Sequence, residues 1–468
     1  MRHKVKHLHF VGIGGSGMSG IAELMFNLNY QVSGSDSQEG EATKRLRDLG
    51  ITIFIGHSEK QIAGADAVVT SSAVENENPE VMAAKARGVP VVPRAMMLVE
   101  LMRLKQGIAV AGTHGKTTTT SLIASILAEA DFDPTYVIGG RLATAKENAK
   151  LGTGEFIVVE ADESDASFLF LQPVIAVVTN IDFDHMGTYG NDFQNLEKAF
   201  FQLIQRLPFY GVAVLCGDDD SVQHLLSKVS KSFITYGLTS DCDVYGSELR
   251  EDGTSMLFKV RMNGKNERGV REFRVNLNLA GKHNVQNALA AIAVCSEVGV
   301  EDVAICRALE NFEGVSRRFQ VHGTITTKEN REFTLIDDYG HHPREIESTL
   351  NATRGAFPGS RIILIFQPHR YTRTRDCFED FVRVLSSADV LLLTEVFSAG
   401  EGPIVAADGR SLSRAVRLNG RTEPFFIDNL QALPQVVLNL VRSGDVVLNM
   451  GAGSISTLPD LIMEAVYQ

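Results

Sequence analysis

Eight short apolar runs recur along the chain, and helical stretches separate them. The runs are HLHFVGI, DAVVTSS, GIAVAGT, FIVVEAD, VIAVVTN, RIILIFQ, DVLLLTE and DVVLNMG. Continuous apolar runs of this length are typical of strands buried on both faces of a parallel sheet, and their alternation with helices predicts an α/β fold. Since ligands bind beyond the carboxyl ends of such strands, the polar residues that follow the runs are the candidate site residues.

The first run leads into a glycine cluster, HFVGIGGSGMSG, in which Gly12, Gly14 and Gly17 form a G-x-G-x-x-G pattern. In this pattern we expect Gly12 to turn the chain, Gly14 and Gly15 to let the backbone approach a diphosphate, and Gly17 to pack the helix on the strand. The pattern does not identify the nucleoside. Asp36, at the end of the second strand, suits the ribose of a nicotinamide cofactor or of another nucleotide.

A second loop, GTHGKTTTT, follows the run GIAVAG and resembles a P-loop, although Val110 replaces the first glycine. Successive backbone amides and a helix N-terminus bind anions. In a P-loop the lysine reaches the β- and γ-phosphates and the next hydroxyl binds Mg²⁺, which assigns these roles to Lys116 and Thr117. The predicted ATP loop consists of Gly112, Thr113, His114, Gly115, Lys116, Thr117 and Thr118.

Two further runs end in acidic residues. FIVVEADESD carries Glu160, Asp162, Glu163 and Asp165, and VIAVVTNIDFDH carries Asn180, Asp182, Asp184 and His185. Oxygen ligands beside a P-loop suit Mg²⁺, which is a hard cation. The sequence therefore predicts a magnesium nucleotide site at these strand ends.

The order of these features divides the 468 residues into three predicted α/β domains. Residues 1–104 form a Rossmann-like domain that a helical connector, RAMMLVELMRLKQG, joins to the next. Residues 105–314 form a P-loop ATPase-like domain with an antiparallel appendage at 235–278, where polar and apolar residues alternate. After the link NFEGVSRRFQ, residues 315–468 form a second Rossmann-like domain.

Composition excludes some classes of partner. A formal charge of −12 argues against general binding to nucleic acid or to an anionic membrane. The five cysteines form no C-x-x-C pair, which favours reduced thiols. Because no apolar run reaches the length of a membrane span and the N-terminus lacks the apolar core of a signal peptide, we predict a cytoplasmic protein, monomeric or weakly dimeric.

The motifs GTHGKTTTT, EADESDASF, TNIDFDHM, GKHNVQNALAA, DDYGHHP and QPHRYTRTRD, taken in this order, resemble the Mur ligase family over nearly the whole chain. The resemblance implies a first domain that binds a UDP-sugar, a second that binds ATP and a third that binds an amino acid. GIGGSGMSGIAE and QPHRYTRT resemble the member that joins L-alanine to the lactyl carboxylate of UDP-N-acetylmuramate through an acyl phosphate. Alternatives are the family member that recycles murein tripeptide, a nicotinamide-dependent oxidoreductase, and a nucleotide-regulated binding or transport protein.

The resemblance also implies roles for single residues. Lys116, Glu160 and His185 would be catalytic, with Thr117, Glu160 and His185 holding metal; His185 as general base is the weaker alternative. The remaining predicted ATP contacts are His283, Asn284, Arg317 and Arg318, although Asn284 could instead cap a helix. The predicted UDP-sugar residues are Gly12, Gly14, Gly15, Ser16, Gly17, Asp36, Ser71 and Ser72.

Arginine forks bind carboxylates bidentately. Arg370 and Arg373, three apart in a predicted loop, are therefore candidates for the alanine carboxylate, with Tyr339, His341 and His369 nearby. Salt bridges between domains are the alternative role for the two arginines. The loop Gly451 to Ser454 could be a turn or another anion-binding loop.

Overall fold

The computed structural model describes residues 4–71, 73–140, 142, 148–263 and 269–467, without the side chains of Ser16 and Tyr467. The chain forms two compact units. The first comprises Met1–Ser247, Lys259–Arg274 and Gln286–Phe312, and the second comprises Glu248–Phe258, Val275–Val285 and Glu313–Gln468. No described helix is both long enough and apolar enough to cross a membrane.

The first unit opens with a parallel sheet of five strands in the order β3-β2-β1-β4-β5. The strands are β1 His7–Val11, β2 Gln31–Asp36, β3 Thr52–Ile55, β4 Ala67–Thr70 and β5 Val91–Pro93. The helices are α1 Ser16–Asn27, α2 Glu41–Asp48, α3 Pro79–Ala86 and α4 Arg94–Met102. This strand order reverses direction at β1, so the crevice beyond β1 and β4 is where a Rossmann-like sheet binds its ligand.

A second sheet has ten strands in the order β15-β14-β13-β12-β11-β10-β6-β9-β7-β8. They are β6 Gln106–Ala111, β7 Thr135–Val137, β8 Ala149–Lys150, β9 Phe156–Glu160, β10 Ile175–Val178, β11 Val212–Cys216, β12 Ser232–Gly237, β13 Val244–Asp252, β14 Ser255–Met262 and β15 Arg271–Leu277. The central strand β6 pairs in parallel with β9 on one side and β10 on the other. The carboxyl ends of these three strands therefore meet at one edge.

Helices accompany this sheet along the chain, and a hairpin ends it. They are α5 Lys116–Glu129, α6 Phe193–Gln205, α7 Asp220–Leu226, α8 Lys282–Glu297 and α9 Asp302–Glu310, with short 3₁₀ helices at Ser167–Phe170 and Met186–Tyr189. Two residues connect the neighbouring strands β13 and β14, a connection that only an antiparallel pair permits. This hairpin confirms the predicted antiparallel appendage.

The second unit contains a sheet of six strands in the order β16-β17-β21-β18-β19-β20, parallel except for β16. The strands are β16 Gln320–Thr326, β17 Glu332–Asp338, β18 Ile362–Phe366, β19 Val390–Thr394, β20 Pro424–Ile427 and β21 Asp445–Met450. The helices are α10 Pro343–Ala356, α11 Tyr371–Asp376, α12 Phe378–Leu385, α13 Gly409–Asn419, α14 Leu433–Leu440 and α15 Leu458–Tyr467, with 3₁₀ helices at Leu430–Ala432 and Ser454–Thr457.

All eight apolar runs form strands, and the α/β fold class is confirmed. Central strands such as β10, β18 and β21 are buried along their whole length, because both faces of each sheet carry apolar side chains of the core. Residues 94–102 of the predicted connector form α4, and the predicted link 311–320 lies outside helices and strands except for Gln320, which begins β16. The domain boundaries 1–104, 105–314 and 315–468 stay a prediction.

Candidate functional site

The loop between β6 and α5 depends on two glycines in the left-handed region. Gly112 has φ +133° and Gly115 has φ +81°. A Cβ on Gly112 would overlap the Thr179 hydroxyl, and one on Gly115 would overlap the Asn287 side-chain amide. Both positions therefore require glycine for two reasons, since the backbone angle and the free space each exclude a side chain.

The same loop is tied to the segment that follows β10. The backbone N–H of His114 donates to Oδ1 of Asn180 at 2.8 Å, and the side-chain amide of Asn180 donates back to the His114 carbonyl at 3.0 Å. The N–H of Asp182 donates to the Thr113 hydroxyl at 2.9 Å. The residues that follow β10 thus help to set the shape of the loop that follows the neighbouring strand β6.

Lys116 is buried at the start of α5, and its ammonium group has three acceptors. Nζ donates to the carbonyls of Gly112 at 2.6 Å and Thr113 at 3.1 Å, and to Oε1 of Glu163 at 2.9 Å. Burial by itself lowers the pKa of Lys116, but Glu163, Glu160 and Asp162 outweigh it and raise that pKa above its ordinary value. The lysine is therefore charged and folded back on its own loop.

The loop after β9 surrounds that lysine with carboxylates in different environments. Burial, assisted by Asp162, raises the pKa of Glu163 to about 7 even though Lys116 opposes the shift. Burial also acts to raise the pKa of Asp162, but hydrogen bonding from Ser164 and the charges of Lys116 and Arg94 lower it to about 2. Adjacent carboxyl groups with such different proton affinities are common at functional sites.

Thr117 and Glu160, both predicted metal ligands, are in direct contact. The Thr117 hydroxyl lies 3.1 Å from Oε1 and 3.0 Å from Oε2 of Glu160, and the backbone N–H of Gly139 donates to Oε2 at 2.8 Å. The contact exists because Glu160 ends β9, which pairs with β6 in register next to the loop. A hydroxyl and a carboxylate are the hard oxygen ligands that Mg²⁺ prefers.

His185 lies after β10 in the left-handed region, with φ +55°. Its backbone N–H donates to Oδ1 of Asp184 at 2.9 Å, and its ring Nε2 lies 3.5 Å from Oδ2 of the same residue. The metal role of His185 stays a prediction.

Thr118, another residue of the predicted ATP loop, is buried within the first turn of α5.

A cavity of 840 Å³ opens beside the first glycine loop. Five predicted UDP-sugar residues line it: Gly12, Gly14, Gly15, Asp36 and Ser71. The carboxylate of Asp36 accepts the backbone N–H of Gly14 at 2.8 Å, so it shapes the glycine loop. Ser72 and the side chain of Ser16 lie outside the described residues.

Gly17, in the first turn of α1, lies next to Arg94. A Cβ on Gly17 would overlap the guanidinium of Arg94, the first residue of α4. The atoms nearest to such a Cβ all belong to this charged side chain. The role of Gly17 in packing α1 on its strand stays a prediction.

In the second unit, the adjacent arginines predicted to bind ATP have different surroundings. Arg317 donates from Nε to Oδ2 of Asp337 at 2.9 Å and from Nη2 to the carbonyl of Gly451 at 2.6 Å, so it links the ends of β17 and β21. Arg318 lies 3.8 Å from Oε1 of Glu345. Both guanidinium groups approach the ring of Tyr339, at 5.4 and 5.1 Å from its centre.

His283 and Asn284 open α8, as predicted. Burial, with a contribution from the charge of Arg318, lowers the pKa of His283 to about 4, so its imidazole is neutral at physiological pH. Asn284 lies inside the helix, and its side-chain amide donates to the carbonyl of Ala280 at 2.8 Å. This back-bond to the fourth preceding residue is not the N-cap acceptor bond of the alternative reading.

The predicted amino-acid residues of the second unit form a row of rings. The centroids of Tyr339 and His341 are 5.4 Å apart, those of His341 and His369 are 5.5 Å apart, and His369 stacks on Phe397 at 5.5 Å. Phe397 was not singled out from the sequence, because its position depends on the bridge that it forms with His369.

Arg370 and Arg373 both lie beside this row. Arg370 has φ +71° and its Nη1 lies 3.4 Å from Oε1 of Glu401. Arg373 is 5% exposed, and its Nη1 donates to the carbonyl of His369 at 3.1 Å. The prediction of a loop is wrong for Arg373, because Arg370 turns the chain directly into the short helix α11.

Three contributors to these sites were missed or given no role from the sequence. Glu163 and Asn180 stood out only as polar residues at strand ends, and Arg94 was part of a connector. A cation directly after the strand VVP was the available signal for Arg94, because it follows the carboxyl end of a parallel strand.

Comparison with known proteins agrees with this architecture. Residues 7–106 match the Mur ligase family catalytic domain, 110–295 the Mur ligase middle domain and 317–453 the Mur ligase glutamate ligase domain. The UDP-N-acetylmuramate–L-alanine ligase of Dechloromonas aromatica (strain RCB) is 59% identical over 465 residues, which cover 99% of this chain and all of that protein. Its counterpart in Azoarcus sp. (strain BH72) is 61% identical, with 98% of each chain covered.

Among solved structures, UDP-N-acetylmuramate-alanine ligase MurC from Thermotoga maritima superposes with a TM-score of 0.83 at 32% identity, with 98% of each chain covered. The sequence relatives and the structural relative thus extend over essentially the whole chain rather than one domain. The chain belongs to the Mur ligase family.

Proposed function

We propose that this chain is an ATP-dependent ligase that joins L-alanine to the lactyl carboxylate of UDP-N-acetylmuramate. The observation that carries the proposal is the identity of about 60%, over nearly the full length, with relatives that bear the name of this activity. The contact between Thr117 and Glu160 beside a P-loop supports it, because this arrangement suits phosphoryl transfer from a magnesium nucleotide.

In the proposed first step, an oxygen of the lactyl carboxylate attacks the γ-phosphorus of ATP. The bond between that phosphorus and the β–γ bridging oxygen breaks, which yields ADP and an acyl phosphate. In the second step, the nitrogen of L-alanine attacks the acyl carbon, the bond from carbon to the phosphate oxygen breaks, and the amine loses a proton. Phosphate leaves and the amide remains.

Lys116 would supply positive charge to the transferring phosphoryl group. Its present acceptors are two loop carbonyls and Glu163, so its ammonium group would exchange some of these contacts for phosphate oxygens. Catalysis of phosphoryl transfer consists mostly of positioning and charge neutralisation. A lysine kept charged by three neighbouring carboxylates suits that task.

The donor set of Thr117 and Glu160 fits Mg²⁺, and His185 is proposed as a further ligand. A magnesium ion bound there would neutralise phosphate charge during the transfer. The hydrogen bond from the backbone N–H of Gly139 holds the Glu160 carboxylate beside the Thr117 hydroxyl. The chain therefore prepares an oxygen-lined position beside the phosphate loop.

The cavity in the first unit is proposed to hold the UDP part of the sugar nucleotide. Gly14 and Gly15 line the cavity at the N-terminus of α1, where the positive end of the helix dipole would attract a diphosphate. In the second unit, the residues proposed to bind L-alanine are Tyr339, His341, His369, Arg370 and Arg373. Because the reaction consumes ATP, we propose a cytoplasmic enzyme. We further propose that it is a monomer or a weak dimer.

A product assay tests this proposal. The protein is incubated with ATP, Mg²⁺ and UDP-N-acetylmuramate together with L-alanine, glycine, L-serine or the murein tripeptide, and the products are identified by mass spectrometry. We expect UDP-N-acetylmuramoyl-L-alanine, with phosphate release that requires both substrates. Selective use of the tripeptide would replace the proposal with the recycling activity, and phosphate release that persists without either substrate would exclude ligation.

A further inference from the structure

Arg94 connects two loops of the first unit that the proposed reaction assigns to different substrates. It is the first residue of α4, directly after β5. Its Nη2 donates to Oδ2 of Asp162 at 3.0 Å, in the acidic loop beside Lys116. Its Nη1 lies against Gly17 in the first turn of α1, where a Cβ would collide with it.

The guanidinium of Arg94 has donors to spare. Among the described residues, the bond to Asp162 is the only hydrogen bond that this side chain makes. The side chain is 26% exposed, and that of Asp162 is 37% exposed. An arginine presents five N–H groups in a planar fork, so most of the donors of Arg94 have no acceptor among the described residues.

The acidic loop creates a need for a cation at this point. Glu160, Asp162, Glu163 and Asp165 lie within six residues of one another, and a substrate carboxylate that approaches ATP must enter their negative field. Lys116 already uses its three donors and is assigned to phosphate. Arg94 contacts the same loop and has unused donors, so it is able to receive a carboxylate there.

Arg94 lies between the positions proposed for the two ends of the sugar nucleotide, its diphosphate and its lactyl carboxylate. With the diphosphate at the N-terminus of α1, the sugar must extend toward the phosphate loop for its carboxylate to reach ATP. Arg94 contacts α1 at Gly17 on one side and the acidic loop at Asp162 on the other. A carboxylate bound between Gly17 and Asp162 would therefore lie beside this guanidinium.

We propose that Arg94 binds the lactyl carboxylate of the sugar nucleotide, exchanging Asp162 for the substrate, and so presents that carboxylate to ATP. The proposal rests on the function proposed above, since it concerns the same substrate. An arginine fork matches the two oxygens of a carboxylate. This role of Arg94 also explains why residue 17 is a glycine, because any side chain at Gly17 would displace the guanidinium of Arg94.

The test compares binding of UDP-N-acetylmuramate with binding of UDP-N-acetylglucosamine, which has the same UDP and sugar but no lactyl carboxylate. Calorimetry is performed on the wild type and on Arg94→Ala, Arg94→Lys and Asp162→Asn. Arg103→Ala is the matched control, because Arg103 directly follows α4, is exposed and contacts Glu100 on the same helix. Thermal unfolding and ATP binding verify that each variant is folded.

We expect Arg94→Ala to weaken UDP-N-acetylmuramate about 10- to 100-fold, the range for loss of a charged hydrogen bond, and to change UDP-N-acetylglucosamine little. Arg94→Lys, which keeps the charge without the fork, should show a smaller loss. Asp162→Asn should preserve or strengthen UDP-N-acetylmuramate binding, because it removes the competing carboxylate. Arg103→Ala should behave as the wild type.

Three results would overturn the assignment of Arg94. They are an equal loss for both sugar nucleotides, unchanged binding of UDP-N-acetylmuramate, and a loss in Asp162→Asn as large as that in Arg94→Ala, which would indicate a purely structural ion pair. These results differ from failure of the proposed function. If the proposed function fails, the wild type itself forms no UDP-N-acetylmuramoyl-L-alanine. If only the Arg94 proposal fails, the wild type still forms this product.

Discussion

The hydroxyl of Thr117 lies within 3.1 Å of both carboxylate oxygens of Glu160, so the first turn of α5 and the end of β9 share one contact. The two residues are 43 positions apart in the chain. They meet because β6 and β9 are parallel neighbours, which places the end of β9 beside the loop that follows β6.

The pair predicts a specific dependence on Mg²⁺. Thr117→Val and Glu160→Gln should each raise the Mg²⁺ concentration for half-maximal rate by about tenfold or more, on the scale of perturbed metal sites. A magnesium titration at saturating ATP measures this. Thr120→Val is the control, because the Thr120 hydroxyl bonds to the carbonyl of Lys116 on the same helix; equal shifts in all three variants would contradict the metal assignment.

Lys116→Ala should lower turnover by roughly 10² or more, the scale for loss of one preorganised charge stabiliser. The dissociation constant for UDP-N-acetylmuramate should change little, since that ligand is assigned to the cavity beside Gly14. Steady-state rates and calorimetry separate the two effects. The control is Lys228→Ala, because Lys228 is exposed. Near-normal ATP-dependent turnover of Lys116→Ala would count against the P-loop assignment.

Gly112→Ala should destabilise the protein and abolish ATP binding. The new Cβ would overlap the Thr179 hydroxyl and lie 3.0 and 3.1 Å from the backbone nitrogens of Thr179 and Asn180. Strain at such a backbone angle alone costs about 1–3 kcal/mol. Thermal unfolding and ATP calorimetry measure both effects, and Gly402→Ala, at a site with open space, should be neutral; tight ATP binding by Gly112→Ala would contradict the predicted loop geometry.

Arg370→Ala should mainly raise the KM for L-alanine, because the Arg370 side chain is 44% exposed and supports little of the core. Arg373→Lys should raise the same KM and also lower the melting temperature, since Arg373 is buried against His369. Arg375→Ala is the control on the same helix, with an exposed side chain paired to its neighbour Asp376. Changes confined to the KM for ATP would show that these arginines are misassigned.

His283 predicts a pH dependence of stability. In the folded protein the pKa of His283 is lowered from 6.5 to about 4. Between these two pH values the imidazole is therefore protonated in the unfolded chain but neutral in the folded protein. The stabilisation is complete above pH 6.5 and is lost as pH falls toward 4, by up to about 2 kcal/mol at pH 5. Denaturant unfolding of His283→Gln at pH 7 and pH 5 should show a smaller difference than the wild type; equal differences would contradict the buried neutral histidine.

Much of the site was predictable because its residues lie at or directly after the carboxyl ends of strands. Lys116, Thr117 and Glu160 follow apolar runs, so their meeting required only the rule that parallel strands end at one edge. The helix α11 was not predictable, because Arg370 adopts a left-handed backbone that no local pattern announces. The pairing of Arg317 with Asp337 and Gly451 was equally hidden, since the partners come from two other segments of the chain.

The sequence by itself determined the α/β fold class, the glycine loop at Gly12 and the phosphate loop at Lys116. Each of these depends on residues that are neighbours in the chain and on the local rules of apolar periodicity and glycine turns. Only the tertiary structure decided that Gly17 faces Arg94 and that Arg94 faces Asp162. These contacts join residues up to 68 positions apart, and the packing of α4 against α1 and the 3₁₀ helix Ser167–Phe170, rather than any local preference, brings them together.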